Sequence, residues 1–403
     1  MTHPDVAPPL PTPDAASWRA TVLGLGPQLE ERAARHDAQN TFVAESVAEL
    51  RAAGFLAVGI PTELGGAGLT QAEVAELLRE MAQFCPATAL TLAMHQHLVG
   101  AAVWRFRHGQ PGEALLRRVA GEHLLLISTG ARDWLRSSGL ITPVEGGYRV
   151  QARKAFASGC LSGDLLLTSA VLSCSEQVAH FVVSLSAPGV SIEEDWNSLG
   201  MRGTGSHTAV LEDVFVPEKA VSLTRPRGEW HPSWSVVLGA ALPLIMAVYV
   251  GVAEAAAAKA TARARQAPPT PERLLSLGEM VNALTTAQLA SADLLRLADN
   301  YRFDAGLALA DAVLVRKSIC ARAVLDTVHR ALETVGGVGL FRTFGLERLL
   351  RDAHGAAFHP LPERAQQLFT ARVALGLDVA APWQQTAVDP EVHPAQSNIS
   401  GLP

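Results

Sequence analysis

Cysteine is scarce in these 403 residues, and the four present, Cys85, Cys160, Cys174 and Cys320, stand too far apart for metal-type spacing. An HExxH motif and clustered carboxylates are missing as well, so no metal site is expected. Runs of Lys or Arg are absent and the formal net charge is -6, which leaves no electrostatic footprint for a polyanion and excludes nucleic acid as a partner. The opening MTHPDVAPPLPTPDAAS has neither a basic start nor an apolar stretch, and with so little cysteine the expectation is a reduced, cytoplasmic protein.

Long uncharged runs are nearly absent too. The exception is VVLGAALPLIMAVYVGVA at residues 236–253, close to the roughly 18 to 20 residues that a membrane span needs. Pro243 interrupts it, Ala and Gly dilute it, and no basic anchors flank it. A helix buried inside a helical assembly is expected there, and no membrane span.

What the chain has is 48% hydrophobic residues against 18% charged, enough to bury a large core in two or three sub-domains. Residues 1–16 and 386–403 are Pro-rich or polar without periodicity and read as mobile tails. From 17 to 123 apolar residues recur at helical spacing, as in FVAESVAELRAAGF and QAEVAELLREMAQF, with Gly54 and the Gly65-Gly66 pair as stops. Between 124 and 225 the period becomes two, in GYRVQARKAF, DLLLTSAVL, VAHFVVSLS and TAVLEDVFVP, which predicts a small antiparallel β domain. From 226 to 385 the helical period returns, breaks at APPTPE and resumes in three long stretches. The expected fold class is therefore α+β, mostly α: an N-terminal helical domain, a middle β domain and a C-terminal bundle of four-helix type.

Four segments in this order resemble the acyl-CoA dehydrogenases: LRAAGFLAVGIPTELGGAGLT at 50–70, GYRVQARKAFASG at 147–159, LGMRGTGSHTAVLEDVFVP at 199–217 and ALETVGGVGLFRTFGLERLLRDA at 331–353. The resemblance implies a non-covalent FAD between the β domain and the C-terminal helices, completed by a neighbouring subunit of a homodimer or homotetramer. It places Phe156 against the flavin and Ser158 at the ring's reactive edge, where a hydroxyl could stabilise charge on reduction. Arg202, with Thr204 and Ser206, would lie near the flavin or the substrate entrance. Gly336, Gly337 and Gly339 are similar to the turn that approaches the adjacent subunit's cofactor. Read without the resemblance, Gly200, Gly203 and Gly205 form a tight β turn, since the strand-turn-helix setting of a dinucleotide fingerprint is missing.

Acyl-CoA oxidation needs a carboxylate to take the proton next to the thioester. Counting from Arg351-Asp352-Ala353 puts Pro360 at the family's usual glutamate, and the alternative position, near Ala241, has no acid either. Glu363, three residues on, is the nearest candidate, with surface pairing to Arg364 as its plainer role. No Arg before a Phe-Gly step matches, since Arg263 and Arg265 lack it, and Glu333 stands where a Gln is usual. HPLP after RDA resembles the flavin-dependent monooxygenases built on the same fold, which need polar groups in a water-poor pocket. His95, His97, His354, His359 and His207 are the candidates. His95 and His97, two apart on a helix, point about 200° away from each other, so at most one lines a pocket.

Three functions follow. One is an FAD-dependent oxidoreductase acting on an acyl-CoA with Glu363 as base and an electron-transfer flavoprotein as acceptor. Another is a monooxygenase of a small aromatic, sulfur or amino substrate, with FAD or FMN reduced by a flavin reductase and with His359 and His95 beside Ser158. The third is a non-catalytic binder of flavin or acyl-CoA.

Overall fold

The computed structural model describes residues 14–129, 135–266 and 268–380. The expected tails lie outside them, except that Asp14 caps the first helix and Ala15 already belongs to it. Five helices come first: α1 (Ala15–Gln39), α2 (Ala44–Ala52), α3 (Gln71–Phe84), α4 (Pro86–Arg107) and α5 (Glu113–Glu122). Their starts are written in the sequence. The Asp14 carboxylate accepts from the Ser17 amide at 2.9 Å, and Thr70 and Glu73 close a reciprocal capping box on α3. Gly54 and Gly65 both take positive φ, 88° and 92°, and bound the short turns between α2 and α3.

Eight strands follow: β1 (Leu126–Ser128), β2 (Leu140–Val144), β3 (Gly147–Ala157), β4 (Leu165–Leu172), β5 (Gln177–Ser184), β6 (Val190–Glu193), β7 (His207–Pro217) and β8 (Val221–Pro226). Their order is β6-β7-β3-β2-β4-β5-β8, with β1 beside β4. The sheet is mixed rather than wholly antiparallel. β1 and β2 lie end to end along the same edge of β4, parallel to it, because the chain leaves that edge after β1 and rejoins it in the same direction. β1, β2, β6 and β8 are three to six residues long, too short for alternation to reveal.

The C-terminal helices are α6 (Ser233–Ala264), α7 (Pro271–Ala298), α8 (Leu307–Val335), α9 (Leu346–Ala353), α10 (Gly355–Phe358) and α11 (Glu363–Ala374). Among the described residues α6 is the one helix long and apolar enough to cross a membrane, yet 94% of its apolar window is buried inside the protein. It is the axis of the core, continuous with Val22 and Leu78 of the first helices, Leu166 of the sheet and Leu314 of α8. Each such aliphatic side chain contributes roughly 1.5–3 kcal/mol by leaving water. Pro243 inside α6 lacks the N–H that would bond the carbonyl four residues back. Gln71 of α3 fills that place, donating to Gly239 O at 3.0 Å and Ala240 O at 3.3 Å. The last of the three expected long stretches is divided into α9, α10 and α11, with Pro360 and Pro362 between the latter two.

Candidate active site

β3 and β7 pair as far as Ala157 and His207. The residues just past that last rung, Ser158 and Ser206, therefore stand side by side, with their hydroxyl oxygens 2.7 Å apart. Ser206 Oγ is also 2.7 Å from Thr204 Oγ1, and Thr204 donates to the carbonyl of Met201 at 2.8 Å. All three hydroxyl residues are buried. Two residues before Ser158, at an irregularity in the β3–β7 register, Phe156 adopts φ 63° and is 45% exposed, its ring edge-on to Trp196 at 6.1 Å. A positive φ at an aromatic residue is strained and persists only where the surroundings impose it. Gly159 takes φ 77°, and a Cβ there would come within 2.7 Å of the Thr91 methyl, so glycine lets the strand end lie against α4.

The turn from Gly200 to Ser206 is held from behind by α9. Asp352 accepts from the Met201 amide, and a Cβ on Gly200 would strike Arg351 O at 2.1 Å. Burial pushes the Asp352 carboxyl up to about 6, against the pull of that amide and of Arg348. Arg351 grips both oxygens of Asp37 in α1, at 2.8 and 2.6 Å, and reaches Glu347 at 2.7 Å. Arg202 is committed to the same brace: Nε donates to Asp37 O at 2.9 Å and Nη1 to Ser198 O at 3.1 Å.

A second polar group gathers where the chain leaves α10. A Cβ on Gly355 would meet the Tyr249 hydroxyl at 2.4 Å, so only glycine passes there. His359 follows, its Nε2 3.5 Å from Tyr249 Oη and its Nδ1 buried without a hydrogen-bond partner. Burial, with Lys317 and His97 adding like charge, lowers the imidazole to about 3, so it is neutral. The residue as a whole is only partly covered, but Nδ1 is buried. Lys317 of α8 is buried and donates to Leu361 O at 2.9 Å and Ala357 O at 3.4 Å, pinning the turn that carries His359; burial lowers it to about 8. His97 enters from α4, its Nδ1 buried and short of any hydrogen bond although the Ala93 carbonyl is near, and burial holds it at about 4.

Residues 25–122 match the family described as acyl-CoA dehydrogenase, N-terminal domain. The chain is 28% identical over 369 residues to the putative acyl-CoA dehydrogenase YdbM of Bacillus subtilis, covering 85% of this chain and 92% of that one. It is 27% identical over 378 residues to the dibenzothiophene monooxygenase of Mycolicibacterium goodii, with 85% and 87% covered. The crystal structure of KijD3, in complex with FMN and a dTDP-linked amino sugar, superposes with a TM-score of 0.83 at 24% identity over 94% of this chain and 98% of that one. The N-terminal helices thus match the acyl-CoA dehydrogenase family, and over most of its length the chain is similar to proteins named as acyl-CoA dehydrogenase and as monooxygenase.

Within this fold, the residues expected from sequence divide. Phe156, Ser158, Thr204 and Ser206, all expected near the flavin or the substrate entrance, come together. Arg202 does not join them, for the reason given above. His95 is displaced from any catalytic role: Leu126 N donates to its Nδ1 at 3.0 Å and its Nε2 donates to Leu56 O at 2.8 Å. Both nitrogens are used, and burial holds the ring neutral with a pKa of about 4. His207 is likewise occupied, accepting from Trp196 N at 3.0 Å. His354 donates back to Leu350 O at 2.7 Å within its own helix.

Glu363 opens α11 on the surface and pairs with Arg322 of α8, not with the adjacent Arg364. A carboxylate exposed and neutralised in this way is a poor base for a buried proton. The position the superfamily resemblance assigns to that base is held by Pro360, beside His359. Gly336 ends α8 with φ 74°, and a Cβ on Gly336 or Gly337 would meet nothing, whereas Gly339 is buried against Leu332 and Leu346. Tyr249 and Lys317 were missed in sequence. Their signal was present: a lone hydroxyl in the uncharged run 236–253 and a lone cation among the apolar positions of α8.

Proposed function

We propose that this chain is a reduced-flavin-dependent monooxygenase that places one atom of O2 on a small aromatic, sulfur or amino substrate. The observation that carries the reading is the replacement of a carboxylate base by the Pro360 turn, which brings a buried neutral imidazole, His359, with a nitrogen left unpartnered. Such a nitrogen is costly, about 1–3 kcal/mol, unless something bound completes it. A polar group that neither gains nor loses charge suits orientation of an oxygen-bearing reactant, not removal of a carbon-bound proton.

The flavin, FMN or FAD, would supply two electrons and the atom at which oxygen is activated. The residues present fit it: Phe156 offers an uncovered aromatic face and Ser158 a buried hydroxyl two residues away. Thr204 acts through Ser158. Tyr249 and Lys317 hold the turn carrying His359, whose Nδ1 is buried. Because the second oxygen atom leaves as water, each turnover consumes two electrons, so a flavin reductase is the partner. The open Gly336-Gly337 turn, flanked by Leu340 and Phe341, each 64% exposed, suits a second copy of the chain, as a homodimer or homotetramer would supply.

The relatives' names allow both chemistries, and the test separates them. Candidate substrates are supplied with pre-reduced flavin under isotopically labelled O2, and acyl-CoAs of several chain lengths are titrated without oxygen. One labelled oxygen in a product, with no bleaching by any acyl-CoA, is expected. Bleaching by an acyl-CoA would overturn the reading in favour of dehydrogenation.

A further inference from the structure

Each of the three buried hydroxyls beside the strand ends has one proton to give. The carbonyl of Met201 can only accept, so the 2.8 Å contact consumes the proton of Thr204. The 2.7 Å contact between Thr204 and Ser206 must then be made by the Ser206 proton. That leaves the 2.7 Å contact between Ser158 and Ser206 to the Ser158 proton. The chain of bonds has one direction, fixed at its far end by a backbone group that cannot be reversed. The carbonyl is itself held in place, since Met201 N is bound by Asp352 and Thr204 N also donates to Met201 O at 3.1 Å.

We infer that Ser206 and Thr204 are positioning residues that turn the Ser158 proton inward, so that Ser158 presents lone pairs to its ligand and selects a reduced flavin over an oxidised one. This rests on the reading that places the flavin against Ser158. The chemistry is general: the reduced ring carries N–H at its central edge nitrogen, a donor, whereas the oxidised ring has a bare nitrogen there, an acceptor. For Ser158 to donate outward, one bond of the relay must be given up. A neutral hydrogen bond is worth about 1 kcal/mol net, which corresponds to roughly a fivefold preference. The expectation drawn from sequence, a hydroxyl donor aimed at the ring, is thereby reversed for the resting protein.

The purified full-length protein is titrated with FMN in air and with reduced FMN under anaerobic conditions, and the ratio of the two dissociation constants is the readout. Ser206→Ala and Thr204→Val each free the Ser158 proton to point outward. Both should lower the preference for reduced flavin roughly fivefold, mainly by tightening the oxidised form, and Ser206→Thr should restore it. Adding Ser206→Ala to Ser158→Ala should change nothing further. Should Ser158→Ala shift the ratio while Ser206→Ala and Thr204→Val leave it unchanged, the relay does not set the polarity and the inference falls. If Ser158→Ala alters neither affinity, the flavin does not touch Ser158, and the site assignment falls with it. Thr204→Val carries the same test should Ser206→Ala fail to fold.

Discussion

The Tyr249 hydroxyl oxygen lies 3.5 Å from Nε2 of His359, the imidazole beside the turn that replaces the superfamily's glutamate. Burial pushes the phenol's pKa well up, so Tyr249 keeps its proton, and with Nε2 as the one partner shown for that hydroxyl it is assigned as the donor. Nε2 then accepts, and the imidazole proton is assigned to Nδ1, the nitrogen without a partner. Tyr249→Phe keeps the ring and removes only that control of the tautomer. Turnover should fall about fivefold, with the thermal midpoint nearly unchanged. Equal kcat in the variant and the parent would show that the hydroxyl does not set the tautomer.

His95 should prove to be a structural residue. His95→Ala strands the Leu126 amide in a buried site, leaves the Leu56 carbonyl only the longer bond from Gln96 and opens a cavity, at a cost of roughly 2–4 kcal/mol. Denaturant unfolding measures that loss. The specific activity of the fraction that remains folded should stay within about twofold of the parent, whereas His359→Ala should lose activity with little change in stability.

Acid should destabilise the protein above the range where ordinary carboxylates titrate. Burial lowers His95 and His97 to about 4 and His180 and His359 to about 3. A depressed imidazole is neutral in the native state, so below about 6.5 the unfolded chain binds the extra proton. The stability these rings confer is complete above that pH and is lost as pH falls toward 4 and then 3. Near pH 5 each costs roughly 2 kcal/mol. Asp352, raised to about 6, acts with the opposite sign and offsets about 1 kcal/mol. The denaturant midpoint should therefore drop between about pH 7.5 and about pH 5; a flat profile would mean that the rings are hydrated.

Glu363→Gln should leave turnover within about twofold, because the carboxylate is exposed and paired with Arg322. A loss of two orders of magnitude in a steady-state assay would restore it as a base.

The long elements were legible in the sequence because their patterns are local. α3 announces itself with Thr70 and Glu73, and β3 and β7 by alternation. Other features were hidden for physical reasons. The parallel placement of β1 and β2 depends on where a connection returns, which no period encodes. His95 and His359 look alike as letters, and only the carbonyl and amide that close on His95 separate a core residue from a candidate reactive one. Ser206 was legible as part of the turn with Thr204, but its contact with Ser158 was not, since it depends on the rung that pairs Ala157 with His207 and sets the two serines side by side. Arg202 carried the right motif, but Asp37, 165 residues away, had prior claim on its guanidinium.

Asp37 receives Arg351 from α9 on its carboxylate and Arg202 from the sheet turn on its carbonyl, while its own helix, α1, opens the described chain. Helices, sheet and C-terminal segment thus meet at one residue. Losing grip there frees the turn that bears Thr204 and Ser206 along with the helix end, so amide hydrogens in all three layers should exchange together, as one cooperative unit rather than three.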